Sequence, residues 1–246
     1  MHSLRITLIG YGRMGKAVEN IAKSRDHTIH LILDSESDWL HHVDAFMQTD
    51  VVIDFSVPEV AVDNLYKCFD AGIPVVTGTT GWHDRFAEVK QFCLLKKQSL
   101  FFAPNFNLGM NMVFRLNQSL ARMIRKTGYQ IALRETHHIH KKDAPSGTAL
   151  KLAEDIIRES GKYKGWVSAN HPRDEYLSIE SIRENEVHGT HEVLLHSGHD
   201  EIMLKHEAKN RDGFALGAVM AAEFLYGKRG IFTMDDMIES YLNNED

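Results

Sequence analysis

Short runs of β-branched, aliphatic and aromatic residues recur through the first half of the chain, at positions 6–9, 28–33, 51–55, 75–77 and 100–103. Between them apolar residues return at helical spacing, as in Ala17, Val18, Ile21 and Ala22, or Ala61, Leu65, Cys68 and Phe69. This spacing predicts helices over 16–24, 59–71 and 85–96. Pro58 suits a first helical turn and Gly72 the position just past a helix end. Strands alternating with helices imply βαβ units and a parallel sheet. After Asn105 the rhythm changes. A helical stretch over 110–124 leads into an extended run over 130–140, a helix over 149–159 and a polar loop over 161–173. Extended segments follow at 177–182, 192–195 and 201–206, and helical patterns resume at 215–225 and continue to Leu242. Strands in succession with few helices between them imply a mixed or antiparallel sheet and a second domain of α+β type, with the last helices returning to the first domain.

Composition narrows the class. The 246 residues are 43% hydrophobic and 25% charged, ordinary values for a globular chain long enough to bury a core. The formal charge of −6, with no dense Lys/Arg block, argues against nucleic acid as a partner. The opening MHSLRITLIG lacks a basic segment followed by an apolar core, and no apolar run approaches a bilayer-spanning length, so the chain is expected to be cytoplasmic with no membrane partner. Cys68 and Cys93 both fall in apolar-periodic stretches, which indicates neither a disulfide framework nor a Cys-based metal site.

The first motif is Gly10-Tyr11-Gly12-Arg13-Met14-Gly15, a G-x-G-x-x-G directly after a predicted strand and opening a predicted helix. Such glycines permit a tight turn and let the backbone approach a pyrophosphate, while free N–H groups at the helix start face the anion. Asp34, 19 residues after Gly15 at the close of the second strand, stands where a carboxylate can accept hydrogen bonds from the adenosine ribose. Gly78-Thr79-Thr80-Gly81 and Ala103-Pro104-Asn105-Phe106 each follow a predicted parallel strand and are expected at the nicotinamide half of the same site. The expected fold is therefore α/β, with a Rossmann-like parallel-sheet dinucleotide-binding domain (1–107 and 212–246) and a second α+β domain for substrate binding and oligomerisation (108–211).

The second motif is Glu135-Thr136-His137-His138-Ile139-His140-Lys141-Lys142-Asp143-Ala144-Pro145-Ser146-Gly147-Thr148. Period two puts Glu135, His137 and Lys141 on one face of the predicted strand and His138 and His140 on the other. Residues 143–147 form a turn, and Ser146-Gly147-Thr148 opens a helix whose first N–H groups are donors suited to a carboxylate. A histidine and a lysine flanking a helix-start anion site suit acid–base work on an anionic substrate. Fifteen histidines also raise a metal reading, through His137-His138-x-His140, His188-x-x-His191 and His196-x-x-His199. The near miss His191-Glu192-x-x-x-His196 has one residue too many for the zinc-protease helix and reads as strand, so no metal is expected.

The run HHIHKKDAPSGTAL, the turn GYGRMG, the loops GTTGW and APNFNLGMN and the closing segment GTHEVLLHSGHDEIMLKHEAKNRDGFALGAV together resemble, in order and over essentially the whole chain, the 4-hydroxy-tetrahydrodipicolinate reductases. The resemblance implies NAD(P)H-dependent reduction of a cyclic imine dicarboxylate in diaminopimelate and lysine biosynthesis. It implies His137 as catalytic acid/base, Lys141 as a proton donor that also holds substrate, and His138, Gly147 and Thr148 as ligands of the substrate carboxylates. Gly10, Tyr11, Gly12, Arg13, Met14, Gly15, Asp34, Gly78, Thr79, Thr80, Ala103, Pro104, Asn105 and Phe106 would take the cofactor, and the family forms homotetramers through the sheet of the substrate domain. The glycine turn is shorter than the family's common version and residues 35–50 are abbreviated, both on the adenosine side. Asp34 followed by uncharged Ser35 implies a preference for NADH over NADPH. An aspartate-semialdehyde type of dehydrogenase would need a cysteine nucleophile in the second domain, where none occurs after Cys93. A non-catalytic dinucleotide sensor would have no reason to keep His137, Lys141 and the Gly147-Thr148 site together.

Overall fold

The structure is a computed structural model and describes residues 2–185 and 187–243. It divides into two compact units, Met1–Leu108 with Arg211–Asp246, and Gly109–Asn210.

The first unit opens with β1 (Arg5–Ile9), α1 (Arg13–Ser24), β2 (Thr28–Leu33), α2 (Glu36–His41), α3 (Val43–Phe46), β3 (Val51–Asp54), α4 (Pro58–Asp70), β4 (Val75–Thr77), α5 (Phe86–Leu95) and β5 (Ser99–Phe102). The chain then forms the second unit from α6 (Leu108–Met123), β6 (Gln130–His137), α7 (Gly147–Ser160), β7 (Gly165–Ser168), β8 (Tyr176–Arg183), β9 (Thr190–His196) and β10 (Glu201–Glu207). It returns to the first unit for α8 (Asp212–Leu225), β11 (Gly230–Phe232) and α9 (Met234–Leu242).

The first unit's sheet runs β11-β5-β4-β3-β1-β2, with every pairing parallel. Strand alternation supplies two cores. Ile6, Leu8, Val51, Ile53, Val76 and Phe101 pack against α1 and α8, whereas Ile9, Val52, Val75 and Leu100 pack against α4 and α5. Burial on both faces explains why these strands read as near-continuous apolar runs. The order reverses between β1 and β3, which opens a crevice at the carboxyl ends of the strands.

The second unit's sheet is mixed, in the order β10-β9-β6-β8-β7. β6 is antiparallel to β9 and parallel to β8. Ile131 and Leu133 of β6, Leu177 and Ile179 of β8, and Val193 and Leu195 of β9 form one core with α6 and α7. The opposite face is charged, with Arg134 bridging Glu180 at 2.6 Å and Glu192 at 3.8 Å.

Several expectations are corrected. The extended run predicted to His140 stops at His137, because the Lys141 N–H closes a turn on the His138 carbonyl at 3.1 Å. The period-two face assigned to Lys141, His138 and His140 therefore does not apply. The polar loop over 161–173 contains β7, and the segment 35–50 holds α2 and α3. β11 was not expected at all; three residues give no periodicity, and pairing with β5 alone makes them a strand. No helix among the described residues is long and apolar enough to cross a membrane.

Candidate active site

In the first unit the predicted cofactor residues gather at the carboxyl edge of the sheet. Gly10 has φ +82, and a Cβ there would sit 2.4 Å from the Phe55 carbonyl oxygen at the crevice. A Cβ on Gly15 would meet the Gly10 oxygen at 2.4 Å, so both positions demand glycine for packing. Gly12 caps α1 without a side-chain bond and has open space where its Cβ would be, leaving the helix start approachable. The turn thus fits a dinucleotide pyrophosphate. Arg13 is exposed, and the Tyr11 hydroxyl bonds Glu19. Asp34 is exposed just past β2 and accepts the Tyr11 N–H at 2.7 Å, which ties the turn to the second strand. Ser35 caps α2 through a capping box with Asp38. A pocket of about 350 Å³ opens beside Asp34, lined among others by Gly10, Trp39, Ser56, Val60 and Lys67.

The two further loops present backbone more than side chain. Thr79 is buried, and its hydroxyl donates to Asp54 at 3.0 Å while accepting the Ser56 N–H at 2.9 Å. Asp54 also accepts Thr77 Oγ1 at 2.7 Å. Burial raises the Asp54 pKa, and these hydroxyl and N–H donors only partly offset it. Asp54 therefore organises the loops after β3 and β4, a role that sequence reasoning missed although an acid ending the apolar run VVID was a legible signal. Ala103 and Phe106 are buried, and Phe106 packs on Phe55 and Phe101 at 5.8 Å each. Pro104 is exposed and Asn105 half-buried; Thr80 is exposed beside half-buried Gly78.

The second unit builds its site at the end of β6. The alternation that buries Ile131 and Leu133 continues through Glu135 and His137 on the same face. Glu135 is fully buried. Its Oε1 accepts Arg183 Nη2 at 2.8 Å and the Ser146 N–H at 3.2 Å, and its Oε2 lies 2.9 Å from His137 Nδ1. Burial alone would raise the Glu135 pKa, but the donors His137, Ser146 and Arg183 overcome it and hold the carboxyl well below the usual range. His191 stacks edge-on to His137 at 5.1 Å, and its Nε2 meets Ser146 Oγ at 3.2 Å. Burial, reinforced by the neighbouring His137, lowers its pKa to about 4, so this ring is neutral.

Ser146 also caps α7 by accepting the Ala149 N–H, so Gly147 and Thr148 begin the helix with their N–H groups in its first turn. Lys141 leaves the turn with its Nζ 2.8 Å from Asp143 Oδ1. His138 is half-buried, its Nδ1 without a partner, and its ring lies 6.1 Å from exposed His140. His137, His138, Lys141, Gly147 and Thr148 thus all surround the β6–α7 connection.

Arg183 was not singled out from the sequence, His191 was considered only as a metal ligand, and Ser146 only as opening a helix. Register brings two of them in: Arg183 pairs with His137 across β8, and His191 with Glu135 across β9. Glu135, His137 and His191 are also close enough to share a metal ion. Arg183 already supplies the positive charge Glu135 needs, and of the predicted histidine pairs His191 and His196 lie at opposite ends of β9.

A parallel-sheet unit with a glycine turn at its switch point, joined to a mixed-sheet unit with an acid–base cluster, defines a nicotinamide-dependent oxidoreductase. Residues 4–106 match the family described as dihydrodipicolinate reductase, N-terminus, and residues 109–238 match dihydrodipicolinate reductase, C-terminus. The chain belongs to this family. It is 46% identical to a protein of Christiangramia forsetii named 4-hydroxy-tetrahydrodipicolinate reductase, over 98% of this chain and 100% of that one. It is 39% identical to a protein of the same name from Methanopyrus kandleri, over 77% of this chain and 71% of that one. A solved dipicolinate-bound dihydrodipicolinate reductase from Paenisporosarcina sp. TG-14 shares the fold, with TM-score 0.80 and 20% identity over 94% of this chain and 98% of that one.

Proposed function

We propose that this protein acts on 4-hydroxy-tetrahydrodipicolinate, which loses its hydroxyl as water to give dihydrodipicolinate, and reduces the latter with a hydride and a proton to tetrahydrodipicolinate in the diaminopimelate and lysine pathway. The observation that carries the reading is the grouping of His137, Lys141 and the α7 start around one strand end in a chain of this family. The nicotinamide cofactor supplies a hydride to the substrate ring. His137 gives the accompanying proton to the adjacent carbon. Lys141 pairs with a substrate carboxylate and stabilises the negative charge that develops on the ring, exchanging Asp143 for substrate. His138 and the Gly147 and Thr148 N–H groups hold the carboxylates at the helix start.

In the dinucleotide-binding domain (1–107 and 212–246), Gly10, Tyr11, Gly12, Arg13, Met14 and Gly15 hold the pyrophosphate. Gly78, Thr79, Thr80, Ala103, Pro104, Asn105 and Phe106 shape the nicotinamide end, Thr79, Ala103 and Phe106 through their backbone. Asp34 accepts hydrogen bonds from the ribose, and the cofactor is NADH in preference to NADPH. The pocket beside it carries Asp34, Glu36 and Asp63 against Lys67 alone, an acidic balance that repels a 2′-phosphate. The substrate domain (108–211) also makes a cytoplasmic homotetramer, for which the exposed Ile202 and Met203 of β10 offer apolar surface.

Oxidation of NADH on addition of freshly generated substrate tests the reaction. Its absence in folded protein, with either cofactor, defeats the reading. Light scattering that gives a single-chain mass defeats the tetramer.

A further inference from the structure

We propose that Glu135, held by Arg183, is a positioning residue that keeps the His137 imidazole protonated at Nδ1 and leaves Nε2 as the nitrogen that carries the transferred proton. The proposal rests on the acid–base reading of His137. Glu135 and His137 sit two residues apart on the inward face of β6, so their side chains are neighbours by strand geometry alone. Glu135 Oε2 lies 2.9 Å from His137 Nδ1, within reach of a hydrogen bond though not in line for one, and neither atom has another partner. A carboxylate beside Nδ1 stabilises a proton there and opposes a lone pair there.

Glu135 can serve only if it stays ionised in the interior, and the surroundings secure that. Arg183 Nη2 and the Ser146 N–H both bind Oε1, leaving Oε2 for the imidazole. Arg183 is itself fixed by donating to the Ile182 carbonyl at 2.7 Å. On the far side of the ring, a Cβ on Gly189 would stand 3.1 Å from His137 Nε2, so any side chain there would crowd that nitrogen. Neutral His191 packs edge-on without adding a competing charge. An imidazole oriented at one nitrogen and uncrowded at the other is the arrangement a proton-transfer group requires.

The test needs no variant to begin. In the full-length protein labelled with ¹⁵N-histidine, at a pH where the ring is neutral, His137 is expected to show the Nδ1–H tautomer; the Nε2–H tautomer overturns the proposal. Glu135→Gln then inverts the arrangement. Arg183 and Ser146 claim the amide oxygen, which turns the NH₂ toward Nδ1 and forces the proton to Nε2. Turnover is expected to fall roughly 10²–10⁴-fold, with KM for NADH unchanged. Wild-type turnover in Glu135→Gln beside an inactive His137→Gln removes Glu135 and leaves the acid–base reading standing. Wild-type turnover in His137→Gln removes both. If Glu135→Gln does not fold, the wild-type tautomer decides.

Discussion

His137 and Lys141 stand on either side of a strand end, and their surroundings predict different kinetic signatures. His137 is buried against Glu135, and in the proposed reaction it acts on a proton in transfer. His137→Ala is therefore expected to lower kcat by roughly 10²–10⁴-fold with a smaller change in KM. Lys141 lies on a turn, paired with Asp143, and in the proposed reaction it meets the substrate as a charge. Lys141→Ala is expected to raise KM and lower kcat together, while NADH titration stays at the wild-type value for both variants. Parallel loss of melting temperature and cofactor affinity would instead mark both side chains as structural. Asp34→Asn keeps an acceptor for the Tyr11 N–H and removes the charge. Its kcat/KM ratio is expected to move toward NADPH by roughly tenfold, the factor that about 1.4 kcal/mol of relieved repulsion gives. An unchanged ratio would show that Asp34 does not set the preference. His137, Lys141 and Asp34 were legible because motif spacing and strand order point to them. Lys67 was not, since only the folding of α4 beside β2 brings it to the same pocket, 3.8 Å from Glu36.

At the scale of elements, α8 is the support for the loop after β5. A Cβ at Gly217 would lie 1.7 Å from the Phe106 carbonyl oxygen, and neither a helix backbone nor the backbone of buried Phe106 can yield that distance cheaply. Gly217→Ala is expected to cost about 1–3 kcal/mol by overpacking and to weaken NADH binding by displacing Ala103–Phe106. Thermal melting and NADH titration check it; wild-type values in both would mean the loop moves freely. The sequence marked α8 by its periodicity and the loop by its strand, but nothing local says that this glycine faces this carbonyl. The same holds for β7 and β11, whose short runs become strands only by pairing with β8 and β5.

For the whole molecule, the buried cluster of the second unit links stability to pH. His191 is lowered to about 4 from its ordinary 6.5, chiefly by burial and then by His137. The unfolded chain therefore binds the extra proton first, and stability is full above pH 6.5 and declines as pH falls toward 4. The loss approaches about 3 kcal/mol from this group. Glu135, whose folded pKa lies below its ordinary 4.5, pushes the same way at still lower pH, since protonation stabilises only the unfolded state there. Urea denaturation at a series of pH values is expected to show this decline, and His191→Gln to flatten its upper part. A stability curve level between pH 6.5 and 4 would contradict the burial of a neutral ring.

What can be read before folding is what short-range rules fix. Alternation and helical spacing predict the βαβ order, glycine spacing predicts a tight turn before α1, and Ser146-Gly147-Thr148 after a strand predicts a helix start. These follow from backbone geometry repeating over a few residues. The tertiary structure alone decided that Arg183 and His191 complete the site around Glu135 and His137. They come from β8 and β9, and strand register is set by which apolar faces can be buried together. It also decided that β6 stops at His137, because the chain turns at His138–Lys141, where the Lys141 N–H bonds the His138 carbonyl, a turn that no local pattern records.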